Sequence, residues 1–209
     1  MGPLMARAVA ASIAVVEVNA SMGRIVAAPT AGASGVLPGT LLITAEYRGW
    51  EDDKLIDGLF TSAAIGAIIA ANATISGAEG GCQAETGSAA AMAAAAIAEL
   101  SGVRPAACLD AAAIALKNVL GLVCDPVAGL VECPCIKRNA IGAANALLCA
   151  DLVLSGAQSI IPFDEAVWAS RTVGKQMSMD LRETARGGLA ATPTARRITR
   201  ELGLTGPVE

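Results

Sequence analysis

Alanine supplies much of the apolar content of this chain, and its small side chain constrains the fold more than any other feature. Hydrophobic residues make up 54% of the 209 residues, whereas aromatic residues make up only 2%. Alanine is the best helix former, and small side chains allow helices to approach closely and pack densely. We therefore expect an all-α fold, with one Ala-rich helical domain over residues 1–209 and Gly/Pro-rich loops between its helices.

Helical patterns cover most of the chain, and no run of alternating apolar and polar residues indicates a strand. Pro105 fits the first turn of a helix, Gly121 fits a C-terminal stop, and Asp164 is a good N-cap. Segment 26–39 contains three glycines and two prolines, which break regular structure. The predicted helices are Met5–Met22, Thr40–Tyr47, Asp53–Ala71, Ser88–Leu100, Pro105–Leu120, Ile136–Leu154 and Asp164–Met179.

Charge and hydropathy exclude some classes of partner. A formal net charge of −4 provides no basic surface for nucleic acid. The longest uncharged run, 58–78, could span a bilayer, but it contains several polar residues and glycines. We expect it to form a buried central helix, without membrane contact. No charged and then apolar leader opens the chain, so we expect a cytoplasmic protein with reduced thiols.

The chain has six cysteines and no histidine. Cys82, Cys124 and Cys135 each lie in a Gly or Pro break ahead of a helix-like stretch. We expect a thiolate there to be exposed and to be stabilised by backbone N–H groups and the helix dipole. Without histidine, ligation of a soft metal must come from cysteine sulfur, which suits an iron–sulfur cluster or zinc.

The other three cysteines occupy different contexts. Cys108 and Cys149 lie in Ala-rich helical stretches, where a free cysteine is commonly a small buried core residue. Cys133 is two residues from Cys135, with a proline between them, so both could face one cavity only if this segment is irregular. Whether Cys133 is a fourth metal ligand stays open.

Five segments carry a resemblance to a known family. The cysteine motifs are Gly-Gly-Cys-Gln-Ala-Glu at 80–85, Gly-Leu-Val-Cys-Asp-Pro-Val at 121–127 and Pro-Cys-Ile-Lys-Arg-Asn-Ala at 134–140, with cysteines 42 and 11 residues apart. The loop at 27–35 and the segment at 182–190 complete the pattern. Together they resemble the iron–sulfur-dependent L-serine dehydratases over nearly the whole chain.

The resemblance is closest to the α chain of the two-chain form. It implies an enzyme that dehydrates and deaminates L-serine to pyruvate and ammonia, with a separate β chain in a hetero-oligomer. It also implies a [4Fe–4S] cluster held by Cys82, Cys124 and Cys135. Three thiolates leave one iron open as a Lewis acid for the substrate. The chain looks short at its N-terminus for the family, and it has no cysteine after Cys149.

The resemblance also implies a substrate-binding loop between Thr30 and Gly35. The hydroxyls of Thr30 and Ser34 and the N–H groups of Ala31, Gly32 and Gly35 could bind a carboxylate, although a plain connecting turn would have the same composition.

Lys137, Arg138 and Asn139 follow Cys135 in the first turn of a predicted helix. Basic residues oppose the helix dipole there, so pairing with a cluster or with the substrate carboxylate would explain their position. We assign Arg138 and Asn139 to substrate binding and Lys137 to catalysis as a candidate base. A base from the β chain is an equally open alternative.

Two other functions are compatible with parts of the sequence. A pyridoxal-phosphate-dependent dehydratase would use a lysine Schiff base, but the strand–helix alternation usual for such folds is missing, so we expect no pyridoxal phosphate. A cluster- or zinc-stabilised helical interaction module would need no catalysis. Structural zinc sites, however, favour short Cys-x2–4-Cys pairs.

The polar segment after Met179 has two possible interpretations. It could be a solvated terminus, because chain ends often fray. Alternatively, Arg182 and Arg186 could dock beside a carboxylate-binding site.

Overall fold

The computed structural model describes residues 1–204 as an all-α fold, which confirms the fold class predicted from the sequence. Short 3₁₀ or π turns interrupt the loops, and the strand-like pairing in this range is a single bridge between Cys124 and Arg182. The helices are α1 (Pro3–Ala20), α2 (Val36–Arg48), α3 (Asp52–Asn72), α4 (Gly77–Gly80), α5 (Ser88–Leu100), α6 (Pro105–Lys117), α7 (Cys135–Leu154), α8 (Phe163–Gln176) and α9 (Pro193–Glu201).

The seven predicted helices all exist, and most boundaries shift by a few residues. Helix α5 has the predicted bounds, whereas α2 begins at Val36, four residues earlier than expected. The prediction that Asp164 is the N-cap of α8 is wrong: Pro162 holds that position, and Asp164 lies in the first turn, where its charge still favours the helix dipole. Helix α8 ends at Gln176 rather than Met179.

Helix α9 is not among the helices predicted from the sequence, although its first residues have the features typical of a helix N-terminus. Thr192 caps the helix through its side chain, and Pro193 occupies the first turn. Between α8 and α9, the backbone at Cys124 pairs with residues 181–183. The segment from Leu181 to Ala195 is therefore docked on the fold. The interpretation as a solvated terminus is wrong for this segment, whereas residues 201–204 are exposed.

Helix α5 occupies the centre of the bundle. It packs against α2, α3, α6 and α7, and every residue of α5 except Glu99 is buried. Its interior face is built almost entirely from alanine, so neighbouring helices approach without large side chains between them. The alanines therefore lie where they allow close packing between α5 and its neighbouring helices.

Helix α3 packs against α5 through one face that includes Gly58, Ile65 and Ile69. The opposite face leaves Leu59 and Phe60 exposed, so α3 is peripheral and the prediction of a buried central helix is wrong. By length and composition alone, α1 and α3 could each cross a bilayer. Such evidence is weak, because core helices satisfy the same criteria.

The packing of α5 makes a testable prediction. Replacing Ala94 by Leu adds volume where every neighbour is fixed, so it should lower the free energy of unfolding by about 1–3 kcal/mol. Ala67 is exposed on α3, and the matched change Ala67→Leu should stay within about 0.5 kcal/mol of the parent. Denaturant unfolding of both variants measures the difference, and equal effects would contradict the central position of α5.

Candidate functional site

Three chain breaks carry Cys82, Cys124 and Cys135. All three residues are buried, with 4%, 3% and 8% of their surface exposed, so the prediction that they are exposed is wrong. Gly81 precedes the first of them with φ of 76°, a conformation that favours glycine. A Cβ on Gly81 would also lie 2.8 Å from the carbonyl oxygen of Leu122. Only glycine lets the Cys82 segment approach the segment that leads to Cys124.

The side chain of Gln83 joins these two segments to α8. Its Oε1 accepts from the Gly121 N–H at 2.8 Å, and its Nε2 donates to the Ser170 carbonyl at 2.9 Å. Its backbone N–H donates to Leu122 at 2.9 Å. Since Gln83 is 1% exposed, water does not compete with these bonds, and they hold the first two cysteine segments side by side.

An ion pair connects the second cysteine segment to the third. Arg138 of α7 donates to Asp125 Oδ1 at 2.8 Å and to the Val123 carbonyl at 2.7 Å, so it spans Cys124 on both sides. Asp125 Oδ2 in turn accepts from the Leu189 N–H at 2.7 Å. The guanidinium predicted to bind substrate is therefore engaged in holding the Cys124 segment against α7.

The three thiols influence one another electrostatically. Burial is the largest of the causes that raise the pKa of Cys124, and the neighbouring Cys82 and Cys135 raise it further. Burial likewise raises the pKa of Cys135 to about 12, with Cys82 as the next contributor. Burial raises the pKa of Cys82, and the hydroxyl of Thr86, 3.1 Å from its Sγ, and the Arg138 guanidinium oppose that rise.

The remaining cysteines lie elsewhere or face outward. Cys108 and Cys149 are buried on α6 and α7 within the hydrophobic core, as the sequence predicted. Cys149 Sγ lies 3.4 Å from Asn145 Oδ1 and 3.5 Å from Asn118 Nδ2. Cys133 is exposed.

No three Cys, Asp or Glu side chains within residues 1–204 are close enough to share a single metal ion. The thiolates of an iron–sulfur cluster are distributed over several irons, so they do not need to meet at one atom. The assignment of Cys82, Cys124 and Cys135 as ligands stays a prediction.

Asn139 ties the predicted substrate loop to α7. Its Nδ2 donates to the carbonyls of Gly32 at 2.8 Å and Cys135 at 3.0 Å, and its Oδ1 accepts from the Gly35 N–H at 3.0 Å. The side chain is fully buried. Because Asn139 and the Gly35 N–H satisfy each other, this arrangement favours a positioning role for both over the predicted contact with substrate.

The rest of the loop forms a tight turn. Residues 31–33 are a 3₁₀ turn, in which the Ser34 N–H donates to the carbonyl of Ala31. Ala31 is exposed and Ser34 is fully buried. The buried hydroxyl oxygens of Thr30 and Ser34 have no hydrogen-bond partner in the described structure. An unpaired buried hydroxyl is costly, which fits a loop that awaits a polar ligand.

Lys137 projects from the exposed side of α7 and forms no hydrogen bond or ion pair with residues 1–204. Its role as a base stays a prediction. In the docked tail, Arg182 Nη1 donates to the Glu79 carbonyl at 3.4 Å, and its buried Nε has no partner. Arg186 is exposed. The tail thus reaches the cysteine segments through Arg182.

Glu85 is the last residue of the first cysteine motif, and the sequence analysis assigns it no role. In the structure it lies between the Thr30–Gly35 loop and Cys124. A Cβ on Gly77 would lie 2.8 Å from Glu85 Oε2 and 3.2 Å from Cys124 Sγ, and a Cβ on Gly32 would lie 3.2 Å from Oε2. The carboxylate and the thiol therefore border the same space. The position of Glu85 close to Cys82 in a Gly-rich break is the sequence feature that could have indicated a functional role for it.

The environment of Glu85 disfavours its charge. Burial raises the pKa of the Glu85 carboxyl, and the nearby Glu183 raises it further. Thr30 partly opposes this rise, but its Oγ1 lies outside hydrogen-bond geometry. Among residues 1–204, no lysine or arginine forms an ion pair with Glu85.

Comparison with known proteins gives consistent matches over this region. The family model described as serine dehydratase alpha chain matches residues 1–190. The chain is 55% identical over 201 residues to the probable L-serine dehydratase, alpha chain, of Bacillus subtilis, covering 96% of this chain and 67% of the relative. It is 51% identical over 201 residues to the L-serine dehydratase, alpha chain, of Peptoniphilus asaccharolyticus, covering 96% and 69%. It is 46% identical over 184 residues to an L-serine dehydratase of Mycobacterium tuberculosis, covering 86% of this chain and 40% of the relative.

The contacts of Asn139 can be tested directly. Asn139→Ala leaves the Gly35 N–H and the Gly32 carbonyl unpaired, at a cost of about 1–3 kcal/mol for each buried group. Hydrogen exchange at the Gly35 amide should become fast in this variant. The matched control Asn145→Ala also removes a buried amide from α7 but should keep Gly35 protected. A protected Gly35 amide in Asn139→Ala would contradict the role given to Asn139.

Proposed function

This chain belongs to the serine dehydratase alpha chain family, and we propose that it is the α chain of an enzyme that converts L-serine to pyruvate and ammonia. The observation that supports the proposal is that the Glu85 carboxylate lies between Cys124 and the Thr30–Gly35 loop, with Cys82 and Cys135 buried in the adjoining segments. The names of the relatives support L-serine as the substrate.

We propose a [4Fe–4S] cluster bound by Cys82, Cys124 and Cys135. The donor set supports it, since the chain offers thiols and no histidine. Burial raises the pKa of Cys82 and Cys135, and Arg138 partly opposes that rise toward the thiolate form that metal binding requires. When bound by these three thiolates, such a cluster would supply Lewis-acid chemistry for the hydroxyl group that leaves the substrate.

The chain's own residues bind and orient the substrate in this proposal. Thr30 and the N–H groups of Ala31 and Gly32 face the carboxylate group of the substrate, while Asn139 and Gly35 hold that loop in place. Arg138 fixes the Cys124 segment through Asp125. Ser34 is fully buried with its hydroxyl unpaired, so it contacts the substrate only if the loop moves on binding.

The proton at Cα needs an acceptor. Lys137 is the candidate on this chain, but its exposed position means that a partner must cover it before it can act in a dry site. A base from the β chain is the alternative. The two are separated by Lys137→Gln, which should abolish turnover only in the first case.

We propose that a β chain completes the enzyme as a hetero-oligomer. The relatives named alpha chain support a divided enzyme, and this chain spans 40% of the longer mycobacterial relative. The loop from Thr30 to Gly35 and the segment around Lys137 are the proposed contacts. An apolar groove of about 560 Å³, lined by residues that include Val26 and Ile56, starts beside that loop and would enlarge the proposed contact surface for the β chain. We propose a cytoplasmic location, where reducing conditions would keep the cluster-binding thiols reduced.

Cysteine substitutions test the ligand assignment. Cys82→Ser, Cys124→Ser and Cys135→Ser should each lose iron and inorganic sulfide after anaerobic reconstitution, because each removes one thiolate from the cluster. Cys108→Ser and Cys149→Ser are matched controls in the core and should retain both. Cys133→Ser should also retain the cluster. If it lost the cluster as fully as the other three, Cys133 would be a fourth ligand and the open iron would be excluded.

Dependence on the β chain is a separate test. The isolated chain, reconstituted anaerobically, should bind iron but form little or no pyruvate from L-serine, because its loop and Lys137 are uncovered. Adding the β chain should restore turnover. Full activity of the isolated chain would show that every catalytic group lies within it, and would contradict the divided site.

A further inference from the structure

We propose that the Glu85 carboxylate binds the α-ammonium group of the substrate and thereby selects amino acids over hydroxy acids. This assignment rests on the proposed dehydration of L-serine and adds a specificity-determining residue to that site.

The position of Glu85 suits a contact with a small ligand. Its carboxylate lies against Gly32 of the substrate loop on one side and Gly77 on the other, with Cys124 Sγ bordering the same space. Both neighbours are glycines, so the carboxylate reaches the loop and the space beside Cys124 directly, and a Cβ at either position would crowd it. A molecule held between the loop and the cysteines would therefore meet Glu85.

The charge balance around Glu85 identifies the group that it would bind. Arg138 is paired with Asp125, Lys137 is exposed, and Arg182 donates to a backbone carbonyl of Glu79. Glu85 thus has no cationic partner within residues 1–204, and because its side chain is half-buried, a cation at this position would stabilise the carboxylate. Three thiolates nearby would add more negative charge.

An α-amino acid supplies the missing cation. Its ammonium group carries three donors, and a charge-assisted bond to a carboxylate is among the stronger polar contacts in proteins. A 2-hydroxy acid of the same shape offers one neutral hydroxyl instead. Glu85 would then discriminate between the two by its charge, while Thr30 and the loop bind the carboxylate group that both ligands share.

The test compares L-alanine with L-lactate, which differ in the ammonium group and lack the leaving hydroxyl. Calorimetric titration of the anaerobically reconstituted enzyme with its β chain should give tighter binding of L-alanine in the parent. In Glu85→Gln, L-alanine should bind at least about tenfold more weakly, the loss expected for one charge-assisted hydrogen bond, while L-lactate changes by less than about twofold. The KM for L-serine should rise in parallel.

Two further variants keep the result interpretable. Gly77→Ala retains every charge but places a methyl group against the carboxylate, so it should also weaken L-alanine binding, even if Glu85→Gln does not fold. Glu51→Gln removes an exposed carboxylate at the start of α3 and should change neither ligand. Iron and sulfide content should equal that of the parent in Glu85→Gln and Glu51→Gln. In every variant the binding constants are expressed per intact cluster, because a Cβ on Gly77 would also lie 3.2 Å from Cys124 Sγ.

Three results would overturn the proposal. The first is an unchanged ratio of the two affinities in Glu85→Gln, or in Gly77→Ala where Glu85→Gln does not fold. The second is a loss of kcat with unaltered L-alanine binding, which would make Glu85 a participant in proton transfer. The third is loss of the cluster in both Glu85→Gln and Gly77→Ala, which would give Glu85 a structural role in holding the cluster. Failure of the proposed function is distinguishable, because the parent would then form no pyruvate from L-serine, whereas the two binding constants would still be measurable.

Discussion

The ion pair between Arg138 and Asp125 holds the candidate site together. The two side chains are 11% and 4% exposed, and their 2.8 Å contact joins α7 to the segment of Cys124. Through Asp125 the same contact reaches the tail at Leu189. Removing one partner would leave an uncompensated buried charge, which typically costs about 3–5 kcal/mol. Two of the three cysteine segments and the C-terminal region therefore depend on one pair of charges.

The alanine core determines where that pair can form. Because alanine predominates in α5, four helices pack closely around it. The glycines at 32 and 77 extend the same principle into the site, where they leave space for the Glu85 carboxylate. Small residues thus shape both the packing of the bundle and the space next to Cys124.

Local features of the sequence predicted local structure well. Propensity alone indicated α5 with its bounds, and Gly and Pro breaks indicated where the reactive cysteines lie. The roles of Asn139 and Arg138 could not be predicted in this way. Asn139 bonds to Gly32, which is 107 residues away, so its partner depends on the tertiary fold. The basic first turn of α7 suggested an anionic partner, and sequence could not identify Asp125 as that partner. Helix α9 was missed despite its local capping signals.

The central claim is that three cysteine segments hold a four-iron cluster with one iron left for the substrate. Mössbauer spectroscopy of enzyme reconstituted with iron-57 and the β chain tests it most directly. One iron should be distinguishable from the other three, and its signal alone should shift when L-serine is added. Four irons with equivalent, serine-insensitive signals would contradict the account, as would a protein that retains no iron.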